Sequence, residues 1–273
     1  MKYYLSVLVL ALFFSCDKNR KIEFVEFTTS SDSTMYYYNL GWKQIMDYGD
    51  YSEAEVSYRK ALSFDNNFLV GQSILARITP DLDERLAIYD RLEEEKQKID
   101  GDERLILDVY IALTKYTNMR DQNSPDTKNA LEEAFKLGEA NLQQIVHKYP
   151  SEVYLKSEYI EVLHAIYGAE PTLDSIANLA TGNHAKNPFI LGYKAILIAE
   201  TGAYDEALIY AKELSDILKD KPVAKPDAIL ADIYFKKEDY KTAKIHADKA
   251  NSIDPRNLDA SRLKARIDAE LEN

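Results

Sequence analysis

The chain has 273 residues, 46% hydrophobic and 29% charged, with 34 Lys and Arg against 46 Asp and Glu for a net charge of −12. That apolar content suffices for a packed core and argues against a disordered chain. The acidic balance argues against nucleic acid as a partner, because such binding rests on neutralising phosphates with Lys and Arg; it argues equally against docking on anionic lipid through a basic face.

At the N-terminus, Lys2 supplies a positive charge, residues 5–14 form an apolar run, and Ser15-Cys16 end it. A basic start, a short apolar stretch and a small closing residue describe a secretory signal. The run is too short to cross a bilayer, which takes about 20 apolar residues. Cys16 is the one cysteine of the chain, so an internal disulfide is excluded. It stands where apolar sequence gives way to Asp17-Lys18-Asn19-Arg20. This junction resembles the lipobox of bacterial lipoproteins: Ser15 and Cys16 match, while Phe13 stands where that family usually has leucine. The resemblance implies that 1–16 is an export signal cut before Cys16, and that Cys16 is the lipidation site. It also implies a chain anchored by lipid to a bacterial membrane, with the outer membrane the expected destination. Each buried methylene contributes about 0.8 kcal/mol, so two or three acyl chains make a stable anchor.

Residues 17–33 are polar, with Thr28, Thr29, Ser30, Ser31 and Ser33 at their end, and read as a tether with a short extended piece at 22–27. From 34 onward the pattern is helical. The eight prolines all fall where a helix would start or stop, as expected of a residue that lacks the amide proton and clashes with the preceding turn. Thr79-Pro80 and Asn187-Pro188 place a capping side chain before a first-turn proline. Asp102 is expected to cap another helix start. Between these marks apolar residues recur at steps of three and four, as in Leu131, Ala134, Phe135, Gly138, Leu142 and Ile145.

The sequence also repeats itself. Gly49-Asp50-Tyr51-Ser52-Glu53-Ala54, Gly202-Ala203-Tyr204-Asp205-Glu206-Ala207 and Glu238-Asp239-Tyr240-Lys241-Thr242-Ala243 share one core, each set between two apolar helical patterns. These units resemble the tetratricopeptide repeat, a helix-turn-helix of about 34 residues. The match is clear at 34–68, 187–218 and 224–257, and degenerate over 69–186. The resemblance implies an all-α, right-handed solenoid of about thirteen antiparallel helices, with 258–273 as the polar cap such stacks need.

Little in the sequence points to chemistry. There is no cysteine pair or HExxH for zinc, no Gly-x-Ser-x-Gly nucleophile and no glycine-rich phosphate loop. His147, His164, His184 and His246 are scattered over separate helical units and read as surface or satisfied helix residues. Asp100-Gly101-Asp102-Glu103 lacks the ligand spacing of an EF-hand. No catalytic, cofactor-binding or metal-binding set is expected. The resemblance places aromatic and polar residues of each unit's first helix along a concave groove. Tyr38, Trp42, Phe235 and Lys236 are the first candidates to line it, followed by Tyr159, His164 and Ile196. The leading expectation is a membrane-anchored, non-enzymatic scaffold or adaptor for a protein or peptide partner in the envelope. The alternative is a solute- or glycan-binding lipoprotein associated with a transporter. An enzyme with its pocket in the degenerate middle ranks third.

Overall fold

The computed structural model describes residues 23–272, so the expected export signal at 1–16 and Cys16 lie outside the described residues. Of these, 80% are helical and none forms a strand. The helices are α1 Asp32–Lys43, α2 Tyr51–Phe64, α3 Leu69–Ile78, α4 Leu82–Glu95, α5 Gly101–Asp121, α6 Thr127–Lys148, α7 Val153–Tyr167, α8 Ala169–Leu179, α9 Pro188–Glu200, α10 Tyr204–Leu218, α11 Lys225–Lys236, α12 Tyr240–Ile253 and α13 Leu258–Glu272. A π-helical turn, Gln44–Tyr48, prolongs α1.

Capping side chains set many of the helix starts. Ser31, Asp50, Asp81, Asn187 and Asp239 each accept a hydrogen bond from the backbone N–H three residues on, at 3.1–3.2 Å, satisfying a donor that the first turn leaves open. Two starts differ from the sequence expectation. Thr79 is held extended, as residues before proline tend to be, and Asp81 caps α4 in its place. At α5, Gly101 takes a left-handed φ of +60°, a conformation that suits glycine, and the helix begins there. Asp102 is therefore inside the first turn, where its carboxylate accepts from Lys148 Nζ and Tyr149 Oη, both at 2.5 Å.

Each helix packs on its successor, and α3 also packs on α5, α9 on α11 and α11 on α13, the contact pattern of a helical repeat. The second helices of the repeated units bury small residues completely: Ala54 and Ala61 on α2, Ala207 and Ala211 on α10, Ala243, Ala247 and Ala250 on α12. These let neighbouring backbones approach closely. At the first unit the fit is tightest, because a Cβ on Gly41 would meet the Tyr58 ring at 2.6 Å. In the middle, α5 and α6 reach 21 and 22 residues against 12–15 in the repeated units. Large side chains join the small ones there: Ile106, Leu107, Tyr110, Leu142 and Ile145 are fully buried beside Ala134.

The expected tether is partly docked. Val25 N donates to Glu152 at 2.8 Å and Thr28 N to Glu103 at 2.7 Å. Phe27 meets Tyr38 and Phe68 edge-on at 5.6 and 5.7 Å. This part of the expected tether is thus held against the helices, and α1 follows directly with Ser31 as its cap.

The stack curves until its ends meet. Asp254, 2% exposed after α12, accepts from Tyr51 N at 2.7 Å and from Ser52 Oγ at 2.6 Å at the start of α2. Two carboxylates thereby serve one helix N-terminus, Asp50 from its own unit and Asp254 from the far end of the chain, where the helix dipole favours negative charge. Asn257 Nδ2 donates to Gly49 O at 2.6 Å. Arg256 donates to Glu55 and, at 2.9 Å, to Ile78 O. Asp47 ties the seam inward, accepting from Tyr154 Oη at 3.0 Å and Asn187 Nδ2 at 2.9 Å.

Candidate functional site: a cavity inside the ring

Closure of the seam turns the inner face of the stack into a cavity of about 420 Å³, within the range of small-molecule sites. Its wall comes from both ends and the middle of the chain. The first helices give Trp42, Ile74 and Arg77; α7 gives Glu158 and Glu161; α9 gives Phe189, Tyr193 and Ile196; α11 gives Lys225, Ile229 and Asp232; α13 gives Asp259, Arg262 and Arg266.

The aromatic part of this wall is rigid. Trp42, 4% exposed, stacks on Tyr154 at 6.2 Å and 10° and meets Tyr38 edge-on. Phe189 stacks on Tyr193 at 5.2 Å and 14°. Parallel and edge-on pairs of this kind are the favoured aromatic arrangements.

The charged part divides into paired and unpaired groups. Arg77 makes a two-pronged ion pair with Glu158, at 2.9 and 3.1 Å, and lies 5.0 Å over the Tyr110 ring. Asp232 is paired with Lys236, although burial still pushes its carboxyl upward. Glu161 has no hydrogen bond or ion pair among the described residues. Burial, followed by the neighbouring Glu158 and Asp259 charges, pushes its carboxyl up to about 8, although Lys225 and Arg77 pull it the other way, because the loss of hydration and the repulsion outweigh those two cations. Lys225, Arg262 and Asp259 also lack a direct polar partner. Lys225 Nζ stands 5.0 Å over the Phe189 ring, and the Arg266 guanidinium 4.4 Å over Phe235.

The sequence-derived candidates divide sharply. Trp42 and Ile196 line the cavity. His164, Phe235 and Lys236 stand behind its wall: His164 is hydrogen-bonded to Tyr193 Oη at 2.9 Å and to Glu200 at 2.8 Å, and Glu200 also meets Lys236 at 3.5 Å. A polar chain therefore runs from Tyr193 through His164, Glu200 and Lys236 to Asp232. Tyr38 and Tyr159 do not line the cavity and lie in the hydrophobic core, which Trp42 also joins. Tyr38 is enclosed by Phe27, Tyr58 and Phe68, and burial holds its hydroxyl well above the ordinary tyrosine range. The sequence reading missed Arg77, Glu158, Glu161, Phe189, Tyr193, Lys225, Arg262 and Arg266. One signal was present: Glu158 and Glu161 stand three apart in Val153–Tyr167, a spacing that places both on one helix face.

Among the described residues no group of three or more His, Cys, Asp or Glu is placed to hold a metal ion, and no helix is long and apolar enough to cross a membrane. Comparison with protein-family models and with curated proteins finds no match to this chain.

Proposed function

We propose that this chain is an exported, non-enzymatic binding protein of tetratricopeptide-repeat type, held at a bacterial membrane by lipid on Cys16, with its ligand taken up inside the ring. The observation that supports it most is the closed seam, where Asp254, Arg256 and Asn257 reach back to Tyr51, Glu55 and Gly49 and enclose a cavity walled by aromatic and unpaired ionic side chains. An open groove would favour the scaffold reading, in which a partner's extended segment or helix lies along the concave face. A cavity of about 420 Å³ favours the alternative, a solute-binding lipoprotein. Lys225 is buried without a hydrogen-bonded or ion-paired partner among the described residues, which is costly, and an anionic ligand would offset that cost.

The test uses the full chain and its Cys16→Ser variant. Wild type is expected in the membrane fraction with acyl mass added, and the variant in the soluble fraction without it. Native mass spectrometry of the soluble form, purified from its own host, is expected to reveal a bound small molecule. Recovery of a stoichiometric protein partner with no small ligand would replace the solute reading by the scaffold one.

A further inference from the structure

The charges facing the cavity do not balance. Arg77 and Glu158 neutralise each other, and Asp232 is matched by Lys236 behind the wall. What remains is Lys225, Arg262 and Arg266 against Glu161 and Asp259, a surplus of positive charge inside a chain whose overall charge is −12. Lys225 is the most telling of these. It is only 8% exposed, yet its ammonium has neither a hydrogen bond nor an ion pair with a described residue, while a buried ammonium ordinarily has such a partner.

A second hollow, of about 260 Å³, shares Tyr51, Arg77, Ile78, Leu258 and Arg262 with the cavity and adds Arg85, Arg120 and Arg256. Asp121 is the one carboxylate residue in its wall, and Arg85 and Arg120 both bind it. The chain has ten arginines, and six of them face these two adjoining hollows. Arg77, Arg85, Arg120 and Arg256 are ion-paired with Glu158, Asp121 and Glu55, which leaves Arg262 and Arg266, with Lys225, as the cations able to draw an anion inward. Beside the unpaired cations the wall is apolar, with Phe189, Ile196 and Ile229.

We propose that the cavity binds a small organic anion, its carboxylate or phosphate held by Lys225, Arg262 and Arg266 and its apolar body resting on Phe189 and Ile229. This rests on the reading of the ring's interior as the binding site. Guanidinium groups suit both anions, since their fixed fork matches two oxygens at once.

Trp42 is the one tryptophan of the chain and lines the cavity, so its emission reports occupancy directly. The full chain carrying Cys16→Ser is titrated with hexanoate, hexyl phosphate, hexan-1-ol and hexylammonium. Both anions are expected to shift Trp42 emission saturably and to bind at least tenfold more tightly than the alcohol or the amine. Their order identifies which anionic group the site prefers. Arg262 and Arg266 are exposed on the last helix, so Arg262→Gln with Arg266→Gln should leave the fold intact and weaken the anions at least tenfold. Lys225→Met should act likewise, with the alcohol unaffected. If the alcohol or the amine binds as tightly as hexanoate, or if these variants bind the anions as wild type does, the anion assignment is wrong while the interior-site reading stands. If no probe moves Trp42 emission, both are wrong.

Discussion

Replacing Asp254 by alanine tests the seam directly. Its two short bonds, to Tyr51 N at 2.7 Å and Ser52 Oγ at 2.6 Å, join residues about two hundred positions apart in the chain. Hydrogen bonds to a charged group contribute about 1.5–3 kcal/mol each. The opened seam admits water, which recovers part of the loss, so a net destabilisation of about 3 kcal/mol is expected. Asp239 is the matched control, because it caps α12 through an exposed bond to Thr242 N within its own unit, and its loss should cost about 1 kcal/mol. For a chain of this size each kcal/mol moves Tm by about 2–4 °C, so Asp254→Ala should melt well below Asp239→Ala by circular dichroism. Small-angle scattering should show a larger radius for Asp254→Ala alone, and hydrogen exchange at the Tyr51 amide should accelerate. If Asp254→Ala melts no lower than Asp239→Ala and keeps the wild-type radius, the ends do not hold each other closed and the cavity has no wall on that side.

Three further substitutions probe the core and the cavity wall. The Glu161 carboxyl is raised from an ordinary 4.5 to about 8, so between these values the folded chain keeps a proton that the unfolded chain has released. Its contribution to stability therefore falls as pH rises through that window, by no more than about 1.4 kcal/mol per pH unit. Glu161→Gln removes this slope: urea denaturation at pH 5 and pH 8 should show the variant gaining on wild type, and parallel curves would refute the burial of a lone carboxyl. Gly41→Ala would ordinarily stabilise a helix by up to about 1 kcal/mol. Here the added carbon meets the Tyr58 ring, and overpacking should destabilise by about 1–3 kcal/mol in urea titrations. Tyr110→Phe removes a buried hydroxyl that has no partner, so it should leave stability unchanged or raise it by about 1 kcal/mol; a loss above that would mean the hydroxyl is bonded.

Local signals in the sequence were sufficient for the helices and their pairing. The Tyr-x-x-Ala cores at Tyr51, Tyr204 and Tyr240 mark the first turns of α2, α10 and α12, because the aromatic residue and the small residue at the contact, joined at α2 and α12 by a capping aspartate, act within a few positions of each other. The last expected helix, beginning at Leu258, is α13, Leu258–Glu272. In the degenerate middle, the periodicity alone carried the reading of 69–186 as paired helices, now α3–α8. Tyr38 and Tyr159 show where such signals fail. An aromatic residue on a first helix satisfies the groove and the core equally well by spacing, and only the neighbours of Tyr38, Phe27 and Phe68, decide for the core.

By itself, then, the sequence determined an acidic chain of helix pairs with small residues at their contacts, since those properties are set by side chains near one another along the chain. Tertiary structure alone decided that the stack closes, that Asp254 caps a helix begun at Tyr51, and that Arg77, Glu161, Lys225 and Arg262 face one cavity. The physical reason is distance along the chain. Curvature is the sum of small rotations at every helix–helix contact, and no window of sequence contains that sum.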